Sequence, residues 1–529
     1  MGAFSKLFSR LRITSDPNVG TQTSAVIQAD STNSSLVLAP NGTGAIIASI
    51  PDGTATGGNA RGQYAVDLKI GGRTASSQVA SGNYSAVLGG NVATASGNFS
   101  IAGGSAFAVG VNSVALGGSS FANGSGSVAI GGEQGGGLGA TAGGRASVAF
   151  GMGNQATADW SNSLGGINNI ASSQYSTISG GQGNTASTNT HATVVGGQSN
   201  TSSGAHSVSG GSGNTASGGT SLSIGLNNIA STESSIALGR GNTAAGVRRN
   251  YAIGENNTVT GYDGSAALGQ GNNVSGIDTA IAIGKANTIS GTTSFGFGNG
   301  NSVTANESYA FGKSNSVGSG LSIALGVGNN VNVTPANSSM VAIGFNHKTS
   351  GSFSTSIGNR SWAYLYGQIA HAAEWFSVNS DWGNAQQSVL LARREATLTT
   401  GATTVLSLDG SGTTNLIIPL GNNRMWNVQI DTIAFVTTIT GTATGVSVGD
   451  AYRETKQLLF KRVGGTSSIV GTVDTTAIKN DSSLATCGLT VTAGASQEMA
   501  LTFTAPTFAG GGSVTMRVVA KVSLVEVAY

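Results

Sequence analysis

Cysteine occurs once in this 529-residue chain, at Cys487. No disulfide can therefore close within the chain, no cysteine-based metal cluster can form, and folding in a reducing cytoplasm is compatible with the sequence. Charge is almost as scarce: 9% of residues are charged, and 24 basic against 22 acidic residues leave a net charge of +2. No long basic block exists to track a phosphate backbone, which argues against nucleic acid as a partner. No run of about 20 apolar residues exists either, so no transmembrane helix is expected. Residues 1–10 carry positive charge without a following apolar run of signal-peptide length, and secretion by the usual route is not expected.

Glycine, in contrast, fills 84 positions, roughly twice the ordinary share of about 7%. The 39% of hydrophobic residues and a strict periodicity argue against disorder, because together they allow surface to be buried. A pentapeptide Ser-x-Val/Ala-x-Gly recurs from Ser85 to Gly358, and its closing glycines mark nineteen repeats at steps mostly of 14 or 15 residues. Longer steps separate Gly131 from Gly151 and Gly326 from Gly344. Short repeats of near-constant length specify a solenoid. Fourteen extended residues trace a perimeter of roughly 46 Å, room for two short strands and two tight turns but not for a wide three-sided β-helix.

Within Ser127-Val128-Ala129-Ile130-Gly131, strand alternation sends Val128 and Ile130 one way and Ala129 the other. Placing the large side chains inside leaves Ala115, Ala129, Ala149, Ala237, Ala252, Ala282, Ala324 and Ala342 outward, where small residues let neighbouring backbones approach. The second half of each repeat, as in Asn256-Asn257-Thr258-Val259 and Asn287-Thr288-Ile289-Ser290, contributes one apolar inward position and several polar outward ones. Gly and Asn at the corners tolerate the left-handed angles of a tight turn. About three apolar residues per coil make a thin core, so close lateral packing and self-association are expected. Coils stacked at about 4.8 Å over nineteen repeats give a stiff rod of roughly 90 Å.

Five regions follow. Residues 1–60 hold brief strand candidates at 24–28, 35–38 and 45–50 and are taken as the attachment end. Residues 61–80 are a transition and 81–360 the repeat shaft. Trp362, Tyr364, Tyr366, Trp375, Phe376 and Trp382 supply a cap and neck over 361–385, where a solenoid must cover its last coil. In residues 386–529 the period disappears and longer alternating strands replace it. Trp426, Val428 and Ile430 alternate with Asn427, Gln429 and Asp431, and Met516, Val518, Ala520, Val522 and Leu524 with Arg517, Lys521 and Ser523. This pattern predicts an antiparallel β-sandwich or jelly roll with no helix.

Hydrolytic chemistry needs two carboxylates converging across a cleft, whereas the repeats scatter Glu133, Asp159, Glu233, Glu255, Asp263, Asp278 and Glu307 singly. Glu133 and Asp159 lie one or two coils apart beside the insert 133–145, which reads as a solvated loop. His191 and His206 are nearly one coil apart without a third ligand and read as surface imidazoles. The Gly-x-Gly fragments open no helix and are not phosphate loops, and no strand-to-helix nucleophile elbow exists. The expectation is no enzyme, no metal and no cofactor. Recognition is expected on varied loops of the C-terminal region, with Tyr452, Arg453, Glu454, Thr507 and Phe508 as candidate receptor-binding residues.

The repeats Ser127-Val128-Ala129-Ile130-Gly131 and Ser235-Ile236-Ala237-Leu238-Gly239 resemble the YadA-type head of trimeric adhesins over about 81–360. That resemblance implies a left-handed parallel β-roll in a homotrimer. The flanks look different from an autotransporter and more like a tailed-phage fibre. Leu36-Val37-Leu38-Ala39-Pro40-Asn41-Gly42-Thr43-Gly44-Ala45 and Gly58-Asn59-Ala60-Arg61-Gly62-Gln63-Tyr64-Ala65-Val66-Asp67-Leu68 are similar to segments that precede such rolls in fibres. Asn384-Ala385-Gln386-Gln387-Ser388-Val389, Arg393-Arg394 and Leu408-Asp409-Gly410 resemble a fibre C-terminal β-domain, although Asn384 stands where an Asp is expected and the penultimate strand lacks a Trp. The resemblance implies an all-β virion tail fibre that binds a tail or baseplate/adaptor protein through its N-terminus. Its distal domain would contact a host surface glycan or outer-membrane protein, without membrane insertion. A bacterial trimeric surface adhesin and a depolymerising tailspike are the alternatives.

Overall fold

A computed structural model describes the chain except residues 1–10, 16–24, 30–39, 41, 71, 133–138, 334–337, 374–381, 420, 422 and 529. The strand candidate at 35–38, the opening ten residues, Glu133, Trp375 and Phe376 therefore lie outside the described residues. The chain divides into two compact units, Met1–Ser203 and Gly204–Tyr529. Among the described residues the secondary structure is strand throughout, apart from the three-residue 3-10 turn Ser482–Leu484.

In the first unit, Leu11–Ser15 pairs antiparallel with Ala25–Ala29. Parallel stacking then begins at Ile46–Ile47, ahead of the first complete pentapeptide, and passes through Val66–Asp67 and Ala86–Val87 to Ile101–Ala108. Each later coil supplies two short strands. Val128–Ile130 stacks on Val148–Phe150, while Thr141–Ala142 stacks on Gln155–Ala156. In the second unit the same two ladders run from Val208–Ser212 and Thr215–Ala216 to Ile369–Ala372 and Trp362–Ala363. The 14-residue period is thus a parallel β-solenoid with two strands per coil.

The side-chain phase is the reverse of the expected one. Ala115, Ala129 and Ala149 in the first unit, and Ala237, Ala252, Ala282, Ala324 and Ala342 in the second, have no exposed surface. Val128 is half-buried and Ile130 is 37% exposed. The coil is too flat to hold two large side chains face to face, so a methyl group from one strand meets one Ala, Val or Ile from the other. Gly296 shows how tight this is. It occupies an alanine position opposite the larger Ile289, and a Cβ there would lie 2.3 Å from the Ile289 Cδ1. Volume is conserved across the pair, as close packing requires.

The second correction concerns asparagine. The residue before each Thr or Ser of the second strand was expected outside, yet Asn242, Asn257, Asn272, Asn287 and Asn301 are buried. Asn257 donates its Nδ2 to the Ile253 carbonyl (3.0 Å) and to the Gly269 carbonyl of the next coil (2.7 Å). Its Oδ1 accepts the Asn272 backbone N–H at 3.0 Å. Each amide closes its own turn and fastens two neighbours, which meets the demand that buried polar groups be paired. Left-handed angles recur at fixed places. In the coil that starts at Ser235 they fall at Gly239 (φ 114°), Gly241 (φ 63°), Gly246 (φ 113°) and Arg249 (φ 49°).

Beyond the solenoid, the second unit builds a five-stranded antiparallel sheet in the order Ala385–Leu398, Ser513–Ala528, Arg424–Thr440, Ala451–Val463, Thr466–Asn480. A three-stranded sheet, Thr403–Leu406, Met499–Thr504 and Gly488–Ala493, shares its apolar cluster. The expected alternation holds: Trp426, Val428, Ile430, Met516, Val518, Ala520, Val522 and Leu524 are buried, and Asn427, Gln429, Arg517 and Lys521 are exposed. Ile369–Ala372 pairs antiparallel with Ala385–Leu398. At this junction the buried Glu526 carboxylate accepts bonds from Tyr364 (3.2 Å) and Gln386 (2.8 Å) and pairs with Arg424.

Candidate binding surface

Tyr452-Arg453-Glu454 does not form a loop. It lies within the strand Ala451–Val463, whose alternation buries Tyr452 and Glu454 and exposes Arg453. The Tyr452 hydroxyl donates to Glu454 Oε2 at 2.6 Å, and the Leu489 N–H reaches the same oxygen at 2.9 Å. Lys456 completes the set as an ion pair with Glu454 at 2.5 Å. Burial, reinforced by the Glu454 hydrogen bond, pushes the Tyr452 phenol well above its ordinary range. Burial alone pushes the nearby Cys487 thiol up to about 12, which makes it an inert packing group. Phe508 is also buried, with its N–H on the Thr400 hydroxyl (2.9 Å), whereas Thr507 is exposed. Tyr452, Glu454 and Phe508 are therefore interior supports, and Arg453 and Thr507 are the members of that set open to a ligand.

Arg453 belongs to a larger surface on the outer side of the five-stranded sheet. Cross-strand pairing aligns Arg393, Val519, Ile433, Arg453 and Lys479 on one rung. Glu395, Arg517, Phe435 and Ala451 form the rung beside it, and Leu391, Lys521, Asp431 and Thr455 the rung on the other side. Ile433 is 57% and Phe435 39% exposed. Further along the same face Gln387, Asn427, Gln429, Gln457 and Ser523 line a shallow depression.

The loop after Leu406 borders the Arg393 end. Asp409 accepts bonds from the hydroxyls of Ser407 (2.6 Å) and Ser411 (2.8 Å), from the Ser411 N–H (3.0 Å) and from the Asn415 amide (3.0 Å). Partial burial works against its charge, but these donors hold its carboxyl far below the usual carboxylate range. Arg393 and Arg394 clasp the loop through the carbonyls of Asp409 (3.3 Å) and Gly410 (3.0 Å).

In the first unit the segment around Gly58-Asn59-Ala60-Arg61 closes on itself. Asp67 takes Arg61 at 2.7 Å and Arg73 at 3.3 Å, all three side chains being sealed from solvent. Lys69 is buried beside them and its Nζ has no hydrogen-bond partner. Burial first, and then the Arg73 charge, push its amine down to about 8.

Three carboxylates of the repeats form ion pairs. Asp159 pairs with Arg145 at 3.2 Å, Glu255 with Arg240 at 3.7 Å, and Asp263 with Arg249 at 2.6 Å. Glu133, the other half of the acid pair considered above, lies outside the described residues. His191 stacks on Tyr175 at 4.8 Å, which stacks on Trp160 at 5.0 Å. His206 falls in the second unit. Among the described residues no three His, Cys, Asp or Glu side chains converge as metal ligands, and no helix is long and apolar enough to cross a membrane.

No family model and no curated protein matches the chain. Among solved structures, the Acinetobacter baumannii phage AM24 tailspike protein is similar at a TM-score of 0.23 and 10% identity, over 68% of this chain and 74% of that one. The Acinetobacter phage vB_ApiP_P1 tailspike protein is similar at a TM-score of 0.22 and 10% identity, over 88% of this chain and 82% of that one. At these scores neither likeness bears on what this chain does.

Proposed function

We propose that this chain is a fibre protein of a tailed-phage virion that attaches the particle to its host cell. In this reading the N-terminal region joins the tail, the repeats form a left-handed roll that serves as a spacer, and the C-terminal pair of sheets is a β-sandwich that meets the receptor. The sequence resemblance of the flanking segments supports the assignment to fibres. The observation that carries it is an uncovered apolar face along the solenoid. In the second unit Ile224, Leu238, Ile253, Leu268, Ile283, Phe297, Phe311, Leu325, Ile343 and Ile357 stack in one column. Ile236, Tyr251, Ile281, Phe295, Tyr309 and Ile323 stand in a second column beside it. Ile224 is 39% and Ile343 40% exposed. An apolar strip of this length marks an interaction site, and its repeat along identical rungs suits other copies of the same chain.

Three copies around one axis would cover the strip and present three receptor sites, raising avidity by roughly 10²-fold or more over one contact. Solution mass measurement of the full chain should return a trimer, and the purified chain should block adsorption of its particle to sensitive bacteria. A monomer that leaves adsorption unchanged would overturn the reading. Release of sugar fragments from the receptor during the same incubation would replace it with a depolymerising tailspike.

A further inference from the structure

The outer rung of the five-stranded sheet contains a pairing that works against the fold. Arg453 and Lys479 face each other directly across neighbouring antiparallel strands, an arrangement in which like charges repel. Both are exposed, and neither forms an ion pair among the described residues. Arg393 ends the same rung and Lys521 stands on the next, also without ion pairs among the described residues. Over the three rungs described above, five basic side chains (Arg393, Arg453, Lys479, Arg517, Lys521) meet two acidic ones, Glu395 and Asp431, with Asp481 at the Ala451 end, where its carboxylate accepts the Ala451 N–H at 2.7 Å. Glu395 is taken by Arg517 at 3.2 Å, and Asp431 accepts the Thr455 hydroxyl at 2.9 Å. The excess is local, because the whole chain carries only +2.

Between the basic ends the rungs expose Ile433, Phe435 and Val519, and the adjoining depression is lined by the amides of Gln387, Asn427, Gln429 and Gln457. Guanidinium forks match carboxylates and phosphates, amides match hydroxyls, and exposed apolar side chains match the C–H faces of sugar rings. A second copy of this chain on the same face would bring a matching excess of basic charge and is disfavoured. We propose that this sheet face binds an acidic polysaccharide, with Arg453 and Lys479 holding one anionic group and Arg393 the next. The inference rests on the host-attachment reading for its biological setting, and names the class of receptor.

The test uses the full chain and immobilised polygalacturonate, with dextran as the neutral comparator and polyphosphate as the phosphate arm. The chain should be retained by polygalacturonate, not by dextran, and retention should weaken as salt rises from about 50 to 300 mM. Arg453→Gln with Lys479→Gln should lower affinity at least tenfold, with an unchanged melting temperature showing that the fold persists. Lys461→Gln, two rungs and more away, should change affinity less than twofold. Equal binding to dextran, no binding to polygalacturonate (retention by polyphosphate alone included), or an unaffected double variant would overturn the proposal. The two readings fail separately. If the chain and its double variant adsorb equally to sensitive bacteria, host attachment stands and this site does not. If the chain is retained on polyanion but adsorbs to no such cell, the site stands and host attachment does not.

Discussion

At the scale of single residues, the buried amides carry more of the solenoid than their polarity suggests. Asn272 donates to Leu268 and Gly284 carbonyls at 3.1 and 2.9 Å and accepts the Asn287 N–H at 3.0 Å. Asn272→Ala strands several buried groups at once and should cost about 3 kcal/mol or more, read by denaturant unfolding. Gly269→Ala should be at least as damaging, since a Cβ there would lie 2.1 Å from the Gly284 carbonyl oxygen at a φ of 118°. The ladder ends on an exception, His347. Its N–H continues the series to Asn329 Oδ1 (3.0 Å), and its Nδ1 accepts the Ser361 N–H at 3.2 Å as an asparagine oxygen would. That role requires an unprotonated Nδ1, and burial lowers the imidazole below its ordinary 6.5. The unfolded chain therefore takes up the proton more readily, so stability should fall as pH drops below about 6.5. His347→Asn should flatten that part of the profile, and an unchanged acid limb would place the sensitivity elsewhere.

At the scale of elements, the strand Ile281–Lys285 separates two roles that its residues were expected to share in the opposite sense. Ala282 fills the interior and Ile283 stands outside at 36% exposure. Ile253→Asp with Ile283→Asp should thus leave the chain folded, by circular dichroism and melting, while lowering its association in sedimentation at least tenfold. Ala129→Leu should instead destabilise the coil itself by about 1–3 kcal/mol through overpacking. Normal melting of that variant would place Ala129 on the surface. The stacked strand Val66–Asp67 supplies a further check, because Lys69 gives up its proton at about pH 8 in the fold and near 10.5 when unfolded. The unfolded chain holds the extra proton between these values, so stability should rise with pH across that window. Lys69→Met should remove the rise.

Across the whole molecule, period, solenoid class and the shift to long alternating strands near residue 386 were legible because they are spacing facts, written in the recurrence of Ser and Gly and in the alternation around Trp426 and Met516. The phase of the pentapeptide was not. Alternation at Val128, Ala129 and Ile130 defines two faces but not which one is inside, and the rule that large side chains go in fails when the interior is only a methyl group deep. The candidate site was legible only at Arg453 and Thr507. Tyr452 and Phe508 looked like recognition residues because aromatic side chains beside turns are ambiguous until burial is known. The basic rung was invisible, since Arg393, Arg453 and Lys479 are distant in sequence and meet only through strand pairing.

The coil-by-coil identity of the stacked rungs has an evolutionary consequence: length becomes countable. Residues 266–280 form one register step, from Ala266 to its partner Ile281, and removing them joins Ser265 to Ile281 and regenerates Ser-Ile-Ala-Ile-Gly. Such a deletion should yield a folded chain one rung shorter, by about 4.8 Å, with its melting temperature within a few degrees. Removal of residues 266–272 alone takes out half a coil, so that Asn273–Val274 of one ladder falls where Ala266–Gln270 of the other should stack, and should abolish folding. Insertion or loss of one whole repeat can therefore add or drop a coil without redesign, so that the number of coils is a quantity selection can adjust in integer steps.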